Sequence, residues 1–296
     1  MQVLTDEKLE QAQKIVKKVE LPSQPTIVLE INKEMGSDSP NFKKIAALVS
    51  QDASLTAKVI NVINSPFFGV SRKVDSIPQA LTLMGVQNFF KIILTTALRE
   101  AISGDGSSEI FWHHSIKTAV AAEHIAKSIG ATLLTDDITP DMAYLAGLFH
   151  DCATPILAKR SADYQKYAQY FISHKVNIAQ AEEKLISSDH CVIGHLMAKS
   201  WSISDAVCKA ILYHHEKKLE AHDGIPIKLV ALVKMADYLA YTHEFTIGGV
   251  DVVIKNEWEI EEWAATNQSS LDALALHIED IKDYRFDLEE KFAEGK

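Results

Sequence analysis

Apolar residues recur every three or four positions along most of the chain, and this spacing predicts amphipathic helices almost throughout. In the first third it predicts helices over 45–53 and 55–63, the second capped by Ser54, whose hydroxyl can accept a backbone N–H. Residues 77–98 predict a further pair of helices, with Gly85 at the turn between them. The first third is therefore expected to be helical.

The rest of the chain keeps the helical spacing and has clearer helix starts. It predicts helices over about 109–129, 140–150, 161–173, 177–187, 189–201, 205–216 and 226–243. Thr139, which precedes a proline, can cap one of these helices, and Asp189 and Ser204 or Asp205 can cap two others. Only Val250–Ile254 resembles a strand, and it stands isolated. The fold class is therefore all-α.

A polar run at 103–108, SGDGSS, interrupts the helical pattern and predicts a domain boundary. We expect an N-terminal helical subdomain over 1–103, a second helical subdomain over 109–250 and an acidic C-terminal helical extension over 251–296. Residues 251–296 hold 13 acidic and 5 basic side chains, a net charge of −8. This surplus is typical of a solvated helical face, and a docking surface for a basic partner is the alternative.

Composition excludes several classes of function. The 296 residues carry 30 Lys and Arg against 40 Asp and Glu, so no cationic surplus is available to bind nucleic-acid phosphates. The strongly apolar stretches, such as 143–149, are too short to span a bilayer, and the polar N-terminus lacks the apolar core of a secretory leader. The three cysteines have no CxxC spacing. We expect a cytoplasmic protein that contacts neither membrane nor nucleic acid.

Histidine is unevenly distributed, because all 12 histidines follow residue 108. Several titratable residues fall on apolar helix faces of the second block. They are His114, His150 with Asp151 at a helix end, His214, His215 and Asp237. A buried carboxylate needs a partner. Inward aspartates among inward histidines therefore predict a site for a divalent cation, and these donors suit Fe, Mn, Zn, Co or Ni.

Each of these residues also has a simpler interpretation. A lone inward histidine such as His114 is more often a hydrogen-bonded core residue than a ligand. The pair His214 and His215 can be a charged helix end, since imidazolium is favoured by the C-terminal dipole. His150 with Asp151 can be a helix-terminal pair, and Asp237 can be an N-cap. The joint inward placement of these residues favours the metal site.

At these residues the sequence resembles the HD superfamily of metal-dependent phosphohydrolases, and most closely its HDOD branch. The motifs of the first block are LPSQP at 21–25, VSQDASLTAKV at 49–59, NSPFFG at 64–69 and SIPQALTLMG at 76–85. Those of the second block are WHHS at 112–115, AGLFHD at 146–151, DHCVIGH at 189–195 and ILYHH at 211–215. The resemblance covers about 15–215 and implies a two-block helical HDOD architecture whose second block is HD-like.

The resemblance also implies site residues. The superfamily's metal ligands follow the order His, His-Asp, Asp, which His114, His150, Asp151 and Asp237 match here. In relatives with two or three metals, further histidines come from positions like His190, His214 and His215. One departure counts against catalysis. HD-GYP phosphodiesterases read His-Asp-x-Gly-Lys, whereas Cys-Ala-Thr follows the His-Asp pair here, so the lysine that contacts substrate phosphate is missing.

The leading hypothesis is a bacterial HDOD signalling or regulatory module that acts through a protein partner and retains a divalent-metal site, with no catalytic residue assigned. The alternative is a metal-dependent phosphohydrolase acting on a nucleotide or cyclic dinucleotide, in which bound metal lowers the pKa of water. A nucleotide or cyclic dinucleotide is also a candidate ligand of the signalling module. Nucleic-acid binding by the first block is the least favoured hypothesis, because a basic patch is missing.

Overall fold

A computed structural model describes residues 5–19, 21–35, 39–64, 72–103, 109–130, 138–160, 178–220, 224–240, 243–247, 250–254 and 259–293. The helix predicted over 161–173 and most of the NSPFFG motif lie outside these ranges. So does most of the SGDGSS run.

The described residues are mainly helical, so the all-α prediction is confirmed. The helices of the first part are α1 (Asp6–Val19), α2 (Thr26–Met35), α3 (Phe42–Ser50), α4 (Ala53–Ile63) and α5 (Ile77–Ser103). Those of the second part are α6 (Glu109–Ile129), α7 (Pro140–Phe149), α8 (Thr154–Arg160), α9 (Ile178–Ile186), α10 (His190–Ser200), α11 (Asp205–Tyr213) and α12 (Ile227–Ala240). Strands β1 (His243–Ile247) and β2 (Val250–Ile254) precede α13 (Ile260–Thr266), α14 (Gln268–Leu274) and α15 (Ile278–Ala293).

The chain divides into two compact units. Unit 1 comprises Met1–Pro22 and Gly106–Arg285, and unit 2 comprises Ser23–Asp105 and Phe286–Lys296. These bounds differ from the expected domains, since α1 groups with the second block. The cause is apolar packing, because Ile15 and Val16 of α1 pack against a cluster formed by Ala153, Leu157 and Ile193 of unit 1.

Unit 2 is built on an apolar core supplied by α2 to α5, which includes Ile31, Val49, Val59, Phe89 and Ile92. α4 is capped by Asp52, whose carboxylate accepts the backbone N–H of Leu55 at 3.0 Å. The prediction that Ser54 caps this helix is therefore wrong, because Ser54 already lies in the first turn. The turn predicted at Gly85 is confirmed, since its φ of 73° interrupts α5.

The α5 segment Ile77–Ile102 is long and apolar enough to cross a membrane by length and composition alone. This differs from the expectation that the apolar stretches are too short. Half of its apolar window is buried, and its residues Phe89 and Ile92 belong to the core of unit 2. The helical geometry is broken at Gly85. These features are those of a core helix.

Unit 1 brings α6, α7, α11 and α12 together. The predicted caps at Thr139, Asp189 and Ser204 are confirmed, since each side chain accepts a backbone N–H from the first turn of its helix. Helices α6 and α7 approach closely at Gly147, where an added Cβ would lie 2.8 Å from the Cα of Ala119. Only glycine permits this approach, and it sets the spacing of the two helices that carry the first site residues.

The strand-like segment Val250–Ile254 is not isolated. It pairs antiparallel with His243–Ile247, with Phe245 opposite Val252 in the register. The prediction of an isolated strand is therefore wrong. The alternation of Phe245 and Ile247 in the partner strand is short, and the helix predicted over 226–243 overlaps its first residue. Residues 251–254, expected to open a helical extension, are likewise extended, whereas α13 to α15 are helical as expected.

Candidate metal centre

The seven predicted site residues come from five helices of unit 1 and converge. His114 lies in α6, and His190 is the first residue of α10. His150 and His214 are the residues that end α7 and α11, and each is followed directly by another predicted ligand, Asp151 or His215. Asp237 lies in α12. Helix ends therefore supply most of the donors, because a side chain there can turn across the end of its own helix.

One set of donors, here called site A, is formed by His114, His150 and Asp237 with one oxygen of Asp151. Nε2 of His114 lies 3.2 Å from Nε2 of His150 and 3.0 Å from Oδ1 of Asp237. Nε2 of His150 lies 3.6 Å from that Asp237 oxygen and 3.3 Å from Oδ2 of Asp151. Two imidazoles and two carboxylates thus point their donor atoms at one another.

A second set, here called site B, is formed by His190, His214 and His215 with the other oxygen of Asp151. Oδ1 of Asp151 lies 3.1 Å from Nε2 of His190 and 3.5 Å from Nε2 of His214. The two imidazole nitrogens are 3.4 Å apart. The ring of His215 lies 4.2 Å from that of His214, centroid to centroid. Asp151 is therefore shared, with one oxygen toward each site.

Backbone and carboxylate acceptors fix the orientation of three imidazoles. Nδ1 of His150 donates to the carbonyl of Gly147 at 2.7 Å, and Nδ1 of His214 donates to the carbonyl of Ile211 at 2.7 Å. Nδ1 of His190 donates to the carboxylate of Glu182 at 2.6 Å. Because a carbonyl or carboxylate only accepts, Nδ1 of each ring carries a proton and Nε2 is the nitrogen that faces the site.

Glu182 is a residue that the sequence argument missed. It is fully buried, and the oxygen that accepts from the His190 ring also accepts the backbone N–H of His190 at 2.8 Å. Carboxylate–histidine pairs of this kind orient metal-ligating histidines and raise their basicity. The available sequence signal was a glutamate on the amphipathic helix α9, eight residues before His190, which one sequence alone does not distinguish from a surface acid.

The electrostatics of the centre are those of closely apposed acids and bases. Burial opposes the charge of His150, but the carboxylates of Asp151 and Asp237 outweigh it and raise the pKa of His150 to about 10. Burial likewise opposes the charges of Asp151 and Asp237, and the neighbouring imidazoles hold both pKa values well below the usual range. Burial lowers the pKa of His214, which is therefore neutral near pH 7.

The geometry of both sites fits a divalent ion. Donors about 2.0–2.1 Å from one ion lie about 3.3–3.4 Å apart in a tetrahedral arrangement and about 2.9 Å apart in an octahedral one. The donor separations given above run from 3.0 to 3.6 Å. Oδ1 of Asp151 and Oδ1 of Asp237 are buried, and each lies within 3.1 Å of an imidazole nitrogen from another helix. A buried carboxylate needs a compensating positive charge, which a bound cation would supply here.

Two further side chains of the described residues lie at the centre. Cys191 places its Sγ 3.4 Å from Nε2 of His190 and is buried, and burial raises the pKa of its thiol to about 12. Lys234 is buried in α12, where burial lowers its pKa to about 8 and its ammonium donates to the backbone carbonyl of Glu216. His195, also in the DHCVIGH motif, is not part of either site, since its Nδ1 donates to the carbonyl of Cys208 at 2.8 Å.

Comparison with known proteins gives a family. The HDOD domain profile matches residues 21–217. An HDOD domain protein of unknown function from Geobacter sulfurreducens is 26% identical and superposes with a TM-score of 0.71, covering 97% of this chain and 98% of that one. A candidate phosphohydrolase from Shewanella amazonensis is 19% identical with a TM-score of 0.69, covering 95% of this chain and 94% of that one.

A candidate signal transduction protein from Marinobacter aquaeolei is 20% identical with a TM-score of 0.69, covering 98% of this chain and 63% of that one. These two matches show the shared fold. The chain spans 38% and 28% of the lengths of the curated relatives it matches, uncharacterized proteins of Treponema pallidum and Bacillus subtilis. With the profile covering most of the chain, and with the helical fold and the histidine–aspartate clusters in place, this chain belongs to the HDOD family.

Proposed function

We propose that this chain is an HDOD signalling protein whose unit 1 binds divalent metal ions at sites A and B. One observation carries the proposal. The two oxygens of Asp151 face two separate sets of imidazole nitrogens, at 3.1 Å from His190 and 3.3 Å from His150. A carboxylate placed between two clusters in this way would hold ions at both of them.

The donor set limits the class of ion. Neutral imidazole and carboxylate donors suit Fe, Mn, Zn, Co and Ni, whereas calcium prefers a cage of oxygens. Site A has two imidazoles and two carboxylates, and site B has three imidazoles and one carboxylate. We therefore expect site A to take the harder ion and site B the softer one.

The signalling part of the proposal rests on the family and on the net charge of the chain. The Marinobacter protein of the same fold carries a signal-transduction name. The net charge of −10 disfavours binding to nucleic-acid phosphates, so a protein partner is the expected target. A nucleotide or cyclic dinucleotide is the expected small ligand, because its phosphates can coordinate ions held at sites A and B.

Metal content of protein purified without a histidine tag tests the proposal. Inductively coupled plasma mass spectrometry is expected to find one to two equivalents of a transition metal, on the order of the two sites that Asp151 joins. Asp151→Ala should reduce this content to near zero, because it removes a carboxylate oxygen from both sites. Asp205→Asn, an exposed acid of α11 paired with Lys209, should leave it unchanged. A wild-type protein that stays metal-free after incubation with each ion contradicts the proposal.

Metal-dependent phosphoester hydrolysis is the second candidate function, and the shared position of Asp151 favours it. Ions bound at both sites would lower the pKa of coordinated water and neutralise phosphate charge. The chain's own residues would then orient the site. Asp151 would contribute one oxygen to site A and one to site B. Glu182 and the carbonyls of Gly147 and Ile211 would keep the imidazoles facing inward.

This second candidate function lacks one residue, the lysine that contacts substrate phosphate in HD-GYP phosphodiesterases. Lys234 is the buried cation nearest in sequence to Asp237, but its ammonium is directed to the Glu216 carbonyl. Turnover of bis-(p-nitrophenyl) phosphate with Mn²⁺ or Fe²⁺ tests hydrolysis, and Asp151→Ala should abolish it. Metal-loaded protein without turnover of this ester or of natural nucleotides would rule hydrolysis out and leave the metal-binding signalling role.

A further inference from the structure

We propose that Cys191 is a metal ligand of site B, so that this site combines imidazoles with a thiolate while site A does not. The inference rests on the proposed metal centre and adds a residue that the histidine–aspartate pattern does not contain. Its consequence is a preference of site B for thiophilic ions such as Zn²⁺ or Co²⁺ over Mn²⁺.

The first observation is the position of the sulfur. A ligand atom of each of His190, Cys191, His214 and His215 lies within 4.8 Å of the others. Sγ of Cys191 is 3.4 Å from Nε2 of His190, and that nitrogen is 3.4 Å from Nε2 of His214. With a metal–sulfur bond of about 2.3 Å and a metal–nitrogen bond of about 2.05 Å, tetrahedral ligands lie about 3.6 Å and 3.3 Å apart. The sulfur is therefore at ligand distance.

The second observation is the burial of the cluster around this sulfur. Residues Cys191, His190 and His214 are 3%, 1% and 2% exposed. Oδ1 of Asp151 is buried beside them, 3.1 Å from Nε2 of His190. A buried carboxylate oxygen among imidazoles and a thiol favours a cation at their centre.

The third observation is the local backbone around Cys191. It is the second residue of α10, whose N-cap is Asp189. This position places its sulfur beside the imidazole of His190, the first residue of the same helix. Binding of the ion breaks the S–H bond, the proton leaves to solvent and the sulfur lone pair forms the bond to the metal. No oxidation or reduction is involved.

The other cysteines of the chain do not share this environment. Sγ of Cys208 lies 3.4 Å from the carbonyl of Ile203, and Sγ of Cys152 lies 3.9 Å from the carbonyl of Gly194. Neither is in the cluster of potential ligands that contains Cys191. Cys208, a buried cysteine of the same unit, therefore provides a matched control.

The test is titration of the metal-free chain with Co²⁺ followed by absorption spectroscopy. Wild-type protein is expected to show ligand-field bands in the visible and a thiolate-to-cobalt charge-transfer band in the near ultraviolet. Cys191→Ser should lose the charge-transfer band while keeping ligand-field bands, and should bind Co²⁺ at site B at least about ten-fold more weakly. Cys208→Ser should match the wild type.

The outcomes separate this inference from the proposed function. Co²⁺ bound without a thiolate band, or a band that persists in folded Cys191→Ser, overturns the role of Cys191 and leaves the metal centre standing. A chain that binds no Co²⁺ overturns both. Circular dichroism establishes that the variants are folded, and Cys191→Ala serves as a second variant if Cys191→Ser is not.

Discussion

The two units of this chain are built from helices of similar sequence character but bury different kinds of groups. In unit 2, the buried hydroxyls of Thr95 and Thr96 are satisfied within their own helix, since they donate to the carbonyls of Lys91 and Ile92 at 2.8 and 2.7 Å. In unit 1, the buried carboxylates of Asp151 and Asp237 face imidazoles that come from other helices.

Because of this difference, we expect stability to depend mainly on unit 2 and metal binding on unit 1. A helix that satisfies its own polar groups places no demand on its neighbours, so apolar packing sets the free energy of unfolding of unit 2. Facing acids and bases must instead be held together by the surrounding helices, and such apposition is typical of functional sites. We therefore expect changes in unit 2 to alter stability and changes in unit 1 to alter metal binding.

The largest expected effect on stability comes from the core of unit 2. Phe89 is fully buried there, so Phe89→Ala should lower the free energy of unfolding by about 3–5 kcal/mol. Unit 2 contains no histidine, so the metal content per folded chain should be unchanged. Denaturant unfolding and mass spectrometry measure the two quantities. Loss of metal from the folded variant would contradict the expectation that unit 2 does not affect metal binding.

The next effect is a pH dependence in unit 1. Burial lowers the pKa of Lys234 to about 8, below the usual value of about 10.4 in the unfolded chain. The unfolded state therefore binds more protons between these values, and stability rises with pH across that window. Lys234→Met should be more stable than the wild type by about 1–3 kcal/mol below pH 8. Above pH 10.5 the advantage should disappear, as denaturant unfolding against pH can measure. A pH-independent difference would contradict the assignment.

A glycine-to-alanine pair tests the close approach that positions the site. Gly147→Ala places a Cβ 2.8 Å from backbone atoms of α6 and should cost about 1–3 kcal/mol of stability. Gly194→Ala meets side-chain atoms of Ile211 and Cys152 at 3.2 and 3.4 Å and should cost less. Thermal unfolding should rank the two variants in this order, and equal costs would argue against a backbone contact between α6 and α7.

The last of the four effects concerns the orientation of a single ligand and is confined to the affinity of one site. Glu182→Gln keeps the shape of the side chain but removes the charge that faces Nδ1 of His190, so metal affinity of site B should fall about 10–100-fold. Glu183→Gln, an exposed neighbour paired with Lys8, is the matched control and should not change the affinity. Competition with a chelating indicator measures both. An unchanged affinity in Glu182→Gln would leave the glutamate a purely structural role.

Much of the fold could be predicted because its signals are local. The caps at Thr139 and Asp189 and the turn at Gly85 depend on residues within one helical turn, and all three are confirmed. The wrong prediction of a cap at Ser54 is also a local error, because Asp52 and Ser54 can both cap a helix and lie only two positions apart. Strand β1 was missed because its alternation covers only Phe245 and Ile247 and directly follows a helical pattern.

The site could be predicted only in part, for a physical reason. The seven histidines and aspartates were found through their helix faces and through the HDOD motifs. Glu182, Cys191 and Lys234 were missed because their roles depend on helices that pack together from distant parts of the chain. The spacing of residues in the sequence does not show that a single acid or thiol is buried. Only its contact with a partner from another helix shows its role.

The most direct test of the central claim is the position of bound metal. Crystals of the chain grown with Zn²⁺ or Co²⁺, with diffraction recorded at the metal absorption edge, locate each ion by its anomalous scattering. The account predicts two peaks, one among His114, His150 and Asp237 and one among His190, His214 and His215, each bound by a different oxygen of Asp151. No peak at these donors, or peaks only at exposed side chains, would contradict it.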